Sequence, residues 1–214
     1  MCRWNIAVLA VAAVMLWAAG CAETVPVTAD SLTFQASVDW QCQMPEHESR
    51  RLQFRLPSHQ EGVPDAKLVV WNFPGMRDAG DGRMIATHMD RWIDEFVQDD
   101  GASSRDAAVR REYRVNDLPV YCIAVSGRYV AESSPGSGVR VERPGHSMLG
   151  AYIVAPGGDY IVKLWGPESV VSHHAAAFDR FVKSVRAGDS HWPQEQPQGT
   201  SRTRTTLTAT KQRP

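Results

Sequence analysis

Two β-type runs, Ala107 to Val115 and Leu118 to Val130, are separated by only Asn116 and Asp117. Asn and Asp tolerate the positive φ that a tight two-residue hairpin turn requires. Strands joined this closely must pair antiparallel, because a parallel return needs a crossover of a dozen or more residues. A second hairpin follows, with strands Met148 to Val154 and Tyr160 to Trp165 joined by Ala155-Pro156-Gly157-Gly158-Asp159. The second half of the chain is thereby committed to an antiparallel sheet.

Earlier strands have different faces. Leu52, Phe54 and Leu56 alternate with polar residues before Pro57, so one side is buried and the other wet. Lys67 to Phe73, KLVVWNF, is more continuously apolar and suits a central strand ended by Pro74-Gly75. Two helices complete the pattern. Met84 to Val97 places Ile85, Met89, Trp92, Ile93 and Phe96 on one stripe, and Ser169 to Arg186 does the same with Val170, Val171, Ala175, Phe178, Phe181, Val182 and Val185. Hairpin-linked strands with two sheet-facing helices predict an α+β domain, a mostly antiparallel sheet flanked by helices, over residues 32–187.

The ends of the chain differ from this body. Ile6 to Ala19 are fourteen apolar residues preceded by Arg3, a plan that fits an export signal better than a span of about 20 residues. Residues 1–20 are therefore expected to be a lipoprotein signal peptide. Ala18-Ala19-Gly20-Cys21 resembles the bacterial lipobox, which makes Cys21 the expected lipidated residue and 21–31 a linker. Residues 188–214 are rich in Pro, Gln, Thr, Ser and Arg, with Leu207 their only aliphatic residue larger than Ala. That composition cannot bury enough apolar surface to offset ordering, so a disordered, weakly basic tail is expected.

The formal net charge of -1 hides this division. Setting aside Arg3 and the tail's four bases and two acids leaves 18 bases against 22 acids in the body. A body at -4 lacks the positive surplus that nucleic-acid binding draws on, and no nucleic-acid partner is expected.

Known chemistry leaves few traces. Neither a Gly-x-Ser-x-Gly elbow, a phosphate-binding Gly loop, His-Glu-x-x-His nor Cys-x-x-Cys occurs. No catalytic residue, metal or cofactor is assigned. His173-His174 is the best metal candidate, but neighbouring helical side chains diverge by about 100°, and a wet helix face is the preferred reading. Asp99-Asp100 reads as solvated, and Trp71 and Trp165 as core residues able to stack on a ligand if exposed. With the signal removed and Cys21 acylated, Cys42 and Cys122 remain as a possible disulfide, although Cys122 lies in an apolar run where a thiol behaves as a small hydrophobe. The polar Gly/Pro/Ser stretch between Ala131 and Ser147 is long for a loop. Arg140, Arg143 and His146 make it the candidate binding loop.

Several runs taken together carry a resemblance. They are Ser49-Arg50-Arg51-Leu52-Gln53-Phe54-Arg55-Leu56-Pro57, Lys67-Leu68-Val69-Val70, Asp90-Arg91-Trp92-Ile93, Val115-Asn116-Asp117-Leu118-Pro119-Val120, Met148-Leu149-Gly150-Ala151 and Lys163-Leu164-Trp165-Gly166-Pro167-Glu168. In this order they resemble a set of exported bacterial lipoproteins with a Mog1/PsbP-like α/β/α sandwich. The resemblance implies helices on both faces of the sheet and imports no catalytic residues. The expected function is a lipid-anchored, extracytoplasmic, non-catalytic module that binds an envelope protein or assists an assembly, held through Cys21 on the periplasmic face of the outer membrane. The alternative is a small-molecule-binding or hydrolytic envelope protein.

Overall fold

The computed structural model describes residues 23–74, 82–132 and 137–188. The signal, Cys21 and almost all of the tail lie outside the described residues. In chain order the elements are β1 (Thr24–Ala29), β2 (Leu32–Ser37), β3 (Gln41–Gln43), β4 (Arg50–Leu56), β5 (Ala66–Phe73), α1 (Arg83–Ile93), β6 (Phe96–Val97), α2 (Ser104–Ala107), β7 (Val109–Val115), β8 (Leu118–Glu132), β9 (Arg140–Ile153), β10 (Asp159–Pro167), α3 (Glu168–Lys183) and β11 (Arg186–Ala187).

An eight-stranded sheet runs β3-β4-β5-β10-β9-β8-β6, with β7 also on β8. Every pairing in it is antiparallel. β6 and β7 share one edge of β8 end to end, β7 along Leu118 to Ala124 and β6 at Arg128 and Tyr129. The Asn116-Asp117 turn has positive φ at both residues, 46° and 65°, as the two-residue link requires. Asn116 Nδ2 also donates to the Val185 carbonyl at 2.8 Å, tying the hairpin to the end of α3.

A helix covers each face. Period-two alternation divides the strands cleanly: Phe54, Leu68, Val70, Val120, Ala151, Ile153, Val162 and Leu164 join Val170, Val171, Phe178, Phe181 and Val182 of α3. Ile123, Val125, Met148, Tyr152 and Ile161 join Ile85, Met89, Trp92 and Ile93 of α1. The fold is therefore α+β, with a mostly antiparallel sheet between helices. Gly150 lets α1 come close: a Cβ there would lie 2.7 Å from Trp92 Cζ3.

Three expectations are corrected. The linker predicted over 21–31 is folded from Thr24, because β1 pairs with all six residues of β2. Its turn is anchored to the large sheet by Asn72 Nδ2 donating to Asp30 Oδ2 at 2.8 Å and by the Arg51–Asp30 ion pair at 2.6 Å. β1, β2 and β11 form a separate three-stranded sheet beside α3. The helix predicted to Val97 stops at Ile93. Phe96 continues the helical stripe, yet it serves equally at the edge of β8, where it meets Tyr129 with ring centroids 5.5 Å apart.

The largest correction concerns the segment read as a loop from Ala131 to Ser147. β9 begins at Arg140, and Glu132 pairs with Arg140, Ala131 with Val141, Val130 with Glu142 and Tyr129 with Arg143. β8 and β9 thus run on as a paired arm, flanked by β6 as far as Tyr129 and two-stranded over residues 130–132 and 140–142. A register shift between Gly127 and Tyr129 bends it, and Gly127 adopts φ 148° where a Cβ would sit 2.8 Å from the Val97 carbonyl oxygen.

Candidate functional site

The arm carries the residues singled out as a binding loop, now in strand positions. Arg140, Glu142 and Arg143 are exposed, and His146 is half-buried opposite Gly127 on β8 and Pro167 on β10. The His146 ring faces Tyr129 with centroids 6.4 Å apart. Arg128 at the bend pairs with Asp99 at 3.3 Å and Glu142 at 3.2 Å. Asp99 is largely exposed, as expected of a solvated acid, and also pairs with Arg128 at the arm's root. Arg140 stands at the outer end of the arm opposite Glu132, Glu142 and Arg143 lie nearer its root opposite Val130 and Tyr129, and the three line the exposed strand as a charged ridge.

The α1 side of the sheet carries most of the other polar chemistry. α1 covers β8, β9 and part of β10, leaving β4 and β5 to longer polar side chains. Lys163 is 8% exposed and its Nζ meets Glu95 Oε2 at 2.5 Å. Burial pushes the Lys163 ammonium below its ordinary value, and the Glu95 carboxylate opposes that shift. The same Nζ lies 5.7 Å from the Trp165 ring centroid, and Trp165 stacks with Trp71 at 6.4 Å. Both indoles are partly covered rather than enclosed. Glu46 binds Lys67 at 3.0 Å and Arg50 at 2.5 Å, and Gln53 Nε2 donates to it at 3.1 Å. The Lys67, Arg50 and Gln53 hydrogen bonds hold the Glu46 carboxyl down at about 2.

Two open grooves flank the edge strand β7. One, of about 300 Å3, lies between α1 and β7 and is lined by Ile85, Met89, Arg110, Glu112 and Tyr121. The other, of about 280 Å3, lies on the α3 side by Arg111, Tyr113, Cys122, Phe178 and Asp179. Each lies where β7 and β8 meet the flank of a helix, α1 in the first and α3 in the second. Neither is lined by Trp71, Trp165 or the arm.

Cys42 and Cys122 are both free thiols, the first exposed on β3 and the second part-buried on β8. Five strand spacings separate β3 from β8, about 24 Å at roughly 4.8 Å each. That is far beyond the reach of a disulfide. Cys122 instead packs against the α3-side core, 3.3 Å from the Tyr113 hydroxyl. Burial pushes both groups up, the Tyr113 phenol beyond the ordinary tyrosine range.

His173 and His174 are joined by a residue the sequence did not connect to them. The loop after β4 brings His59 over α3. The ligand-capable atoms of His59, His173 and His174 lie within 4.8 Å of one another. The ring centroids are 4.3 Å apart for His59 and His173, 4.9 Å for His173 and His174, and 6.1 Å for His59 and His174. The wet helix face expected here holds for His173 but not for His174, which is 3% exposed. His174 Nε2 lies 3.0 Å from the Pro57 carbonyl. A carbonyl only accepts, so Nε2 carries the hydrogen and Nδ1 keeps the lone pair. Burial lowers the His174 pKa below its ordinary value, favouring the neutral ring. No local signal links His59 to the pair, because their proximity depends on how β4 and α3 pack.

The sequence matches no family model and no curated protein. Several solved structures are similar to it over most of the chain. Cyanobacterial PsbP (CyanoP) from Synechocystis sp. PCC 6803 is 12% identical, with a TM-score of 0.47 over 79% of this chain and 95% of that one. A protein of unknown function from Pseudomonas aeruginosa is 12% identical, with a TM-score of 0.45 over 75% and 94%. LpqN of Mycobacterium tuberculosis, described as involved in cell envelope biogenesis, is 10% identical, with a TM-score of 0.44 over 78% and 91%. The fold class rests on the chain's own strand order and core, not on these likenesses.

Proposed function

We propose that this chain is a lipid-anchored, extracytoplasmic accessory module of the Mog1/PsbP-like type, which acts by docking to an envelope protein and not by catalysis. The observation that carries this reading is the β8–β9 arm. It extends the sheet as a bent ribbon whose exposed ridge of Arg140, Glu142 and Arg143 belongs to neither helix-covered core. A two-stranded ribbon alone is marginally stable, and here its root is fixed by the Arg128 ion pairs and the packing of Phe96 on Tyr129. Both faces of the sheet are filled by side chains, and of the surfaces left, which include the two grooves beside β7, this ridge is the one we assign to the partner. Fourteen apolar residues, the last two Ala18-Ala19, run into Gly20-Cys21 and support the lipid anchor at Cys21, with residues 1–20 as the export signal.

Arm and anchor are tested together by proximity labelling in cells. The native chain should label a reproducible set of envelope neighbours. Arg140→Glu with Arg143→Glu should remove most of that set while leaving the melting temperature of the purified chain within a few degrees, because both positions are exposed. Cys21→Ser should abolish acylation by mass spectrometry and release the body or trap the precursor. Labelling unchanged by the arm substitutions would overturn the docking surface, and a native mature chain without acyl groups would overturn the anchor.

A further inference from the structure

The His59, His173 and His174 cluster lies on the α3 side of the molecule, built from different elements than the β8–β9 arm. Its three donors are all imidazoles, a set suited to zinc, copper and nickel. Hard oxygen-seeking ions such as magnesium and calcium prefer carboxylates and carbonyls instead.

The geometry has a fixed part and an adjustable part. His174 is buried in α3 and oriented by its hydrogen bond to the Pro57 carbonyl. That arrangement, one ring nitrogen donating to a carbonyl and the other free to bind, is the usual outer support of a metal-ligating histidine. His59 and His173 are exposed, so their rings turn without disturbing the core. Tetrahedral bonds of about 2.0–2.1 Å place ligand nitrogens roughly 3.3 Å apart. The ligand-capable atoms lie within 4.8 Å of one another, so closing to that spacing asks for shifts on the order of 1–2 Å, which fall to the exposed rings of His59 and His173 while His174 stays held. Diverging side chains on adjacent helical residues do not prevent this, since His59 approaches from a different element and lies nearer His173 than either lies to His174.

The loop that carries His59 is itself held. Ser58 N donates to Asp65 Oδ1 at 2.7 Å, Gln60 N donates to Ser58 Oγ at 3.1 Å, and Ser169 Oγ in the first turn of α3 donates to Gln60 Oε1 at 3.2 Å. The site therefore bridges the β4–β5 loop and α3 with part of its geometry in place before any ion arrives.

We infer that His59, His173 and His174 bind one divalent transition-metal ion of the zinc class, with a fourth coordination position open to solvent. Such an ion would tie the β4–β5 loop to α3 and present an exchangeable ligand position at the surface.

The test uses the full chain, stripped with a chelator, with Zn2+ followed by titration calorimetry and Co2+ by its visible absorption. One equivalent of Zn2+ should bind, and Co2+ should give the bands of a tetrahedral or five-coordinate nitrogen site. His59→Ala and His173→Ala should each weaken Zn2+ binding at least tenfold and bleach the cobalt bands, while His47→Ala leaves both unchanged. Zn2+ should raise the melting temperature of the native chain and lose that effect in His59→Ala. His174→Ala is set aside because the residue is buried and its loss would perturb folding. Failure of the stripped native chain to bind Zn2+ at micromolar concentration, or binding that survives both His59→Ala and His173→Ala, would overturn the site.

Discussion

The two faces of the sheet are covered in different ways. On the α3 side, a sixteen-residue helix and the small β1-β2-β11 sheet close over hydrocarbon. Phe34 stacks on Phe181 at 4.6 Å, and Trp40 meets Phe181 at 5.4 Å and Phe54 at 5.8 Å. On the other side, the eleven-residue α1 covers part of the sheet, and the cover is continued by the Lys163–Glu95 pair, the Trp71–Trp165 stack and the Glu46 network. The strands themselves set part of this difference: Phe54, Leu56, Leu68, Val162 and Leu164 face α3, whereas Gln53, Arg55, Lys67 and Lys163 alternate with them on the other side. The shorter α1 leaves those positions uncovered, and amphipathic side chains shield the sheet there with their stems and keep charge at their tips.

The sharpest way to break the comparison is to cut each cover at its centre. Phe181→Ala, on the α3 side, should destabilise by about 3–5 kcal/mol, because the aromatic cluster around it leaves a cavity instead of collapsing. Denaturant unfolding of the purified chain measures this.

On the α1 side, Glu95→Gln should cost about 3 kcal/mol, since it strands a buried ammonium. Replacing both members, Glu95→Leu with Lys163→Met, should recover most of that loss. Such recovery would show that the pair is tolerated rather than required. The deficit of Glu95→Gln should also shrink as pH rises toward the ordinary lysine range. The depressed Lys163 pKa means the unfolded chain holds a proton that the folded one sheds, so stability rises with pH across that interval.

The smallest effect belongs to the rim. Glu46 is half-exposed, so Glu46→Gln should cost less than about 1 kcal/mol at neutral pH. Its carboxyl lies below the usual range, so its contribution is present above the ordinary carboxylate pKa and is lost as pH falls to about 2. Native and variant unfolding curves should differ at pH 6 and converge near pH 2.

Features that depend on neighbours in sequence were legible. Asn116-Asp117 specified its hairpin because a two-residue link has few conformations, and Val170, Val171, Phe178, Phe181 and Val182 specified the buried side of α3 because a helix repeats every 3.6 residues. Features that needed a distant partner were not. The arm was hidden by Pro144 and Gly145, although Val139-Arg140-Val141-Glu142-Arg143 alternates as a strand does. With Val130 its one buried residue among those described and the rest of the ribbon partly or fully exposed, that alternation produced no apolar stripe to recognise. β1 was similarly hidden, since its only buried residue is Ala29 and its pairing depends on Asp30 reaching Asn72 and Arg51.

For the candidate metal site the division is clearest. The sequence by itself determined the antiparallel hairpins, the two amphipathic helices, the weakly acidic body between an apolar leader and a basic tail, and the adjacency of His173 and His174. Only the tertiary structure decided that His59 joins them, that Lys163 finds Glu95, and that Cys42 and Cys122 lie at opposite sides of the sheet. Local periodicity fixes which side of an element is apolar, whereas the order of strands and the angle of a helix across them decide which distant side chains meet.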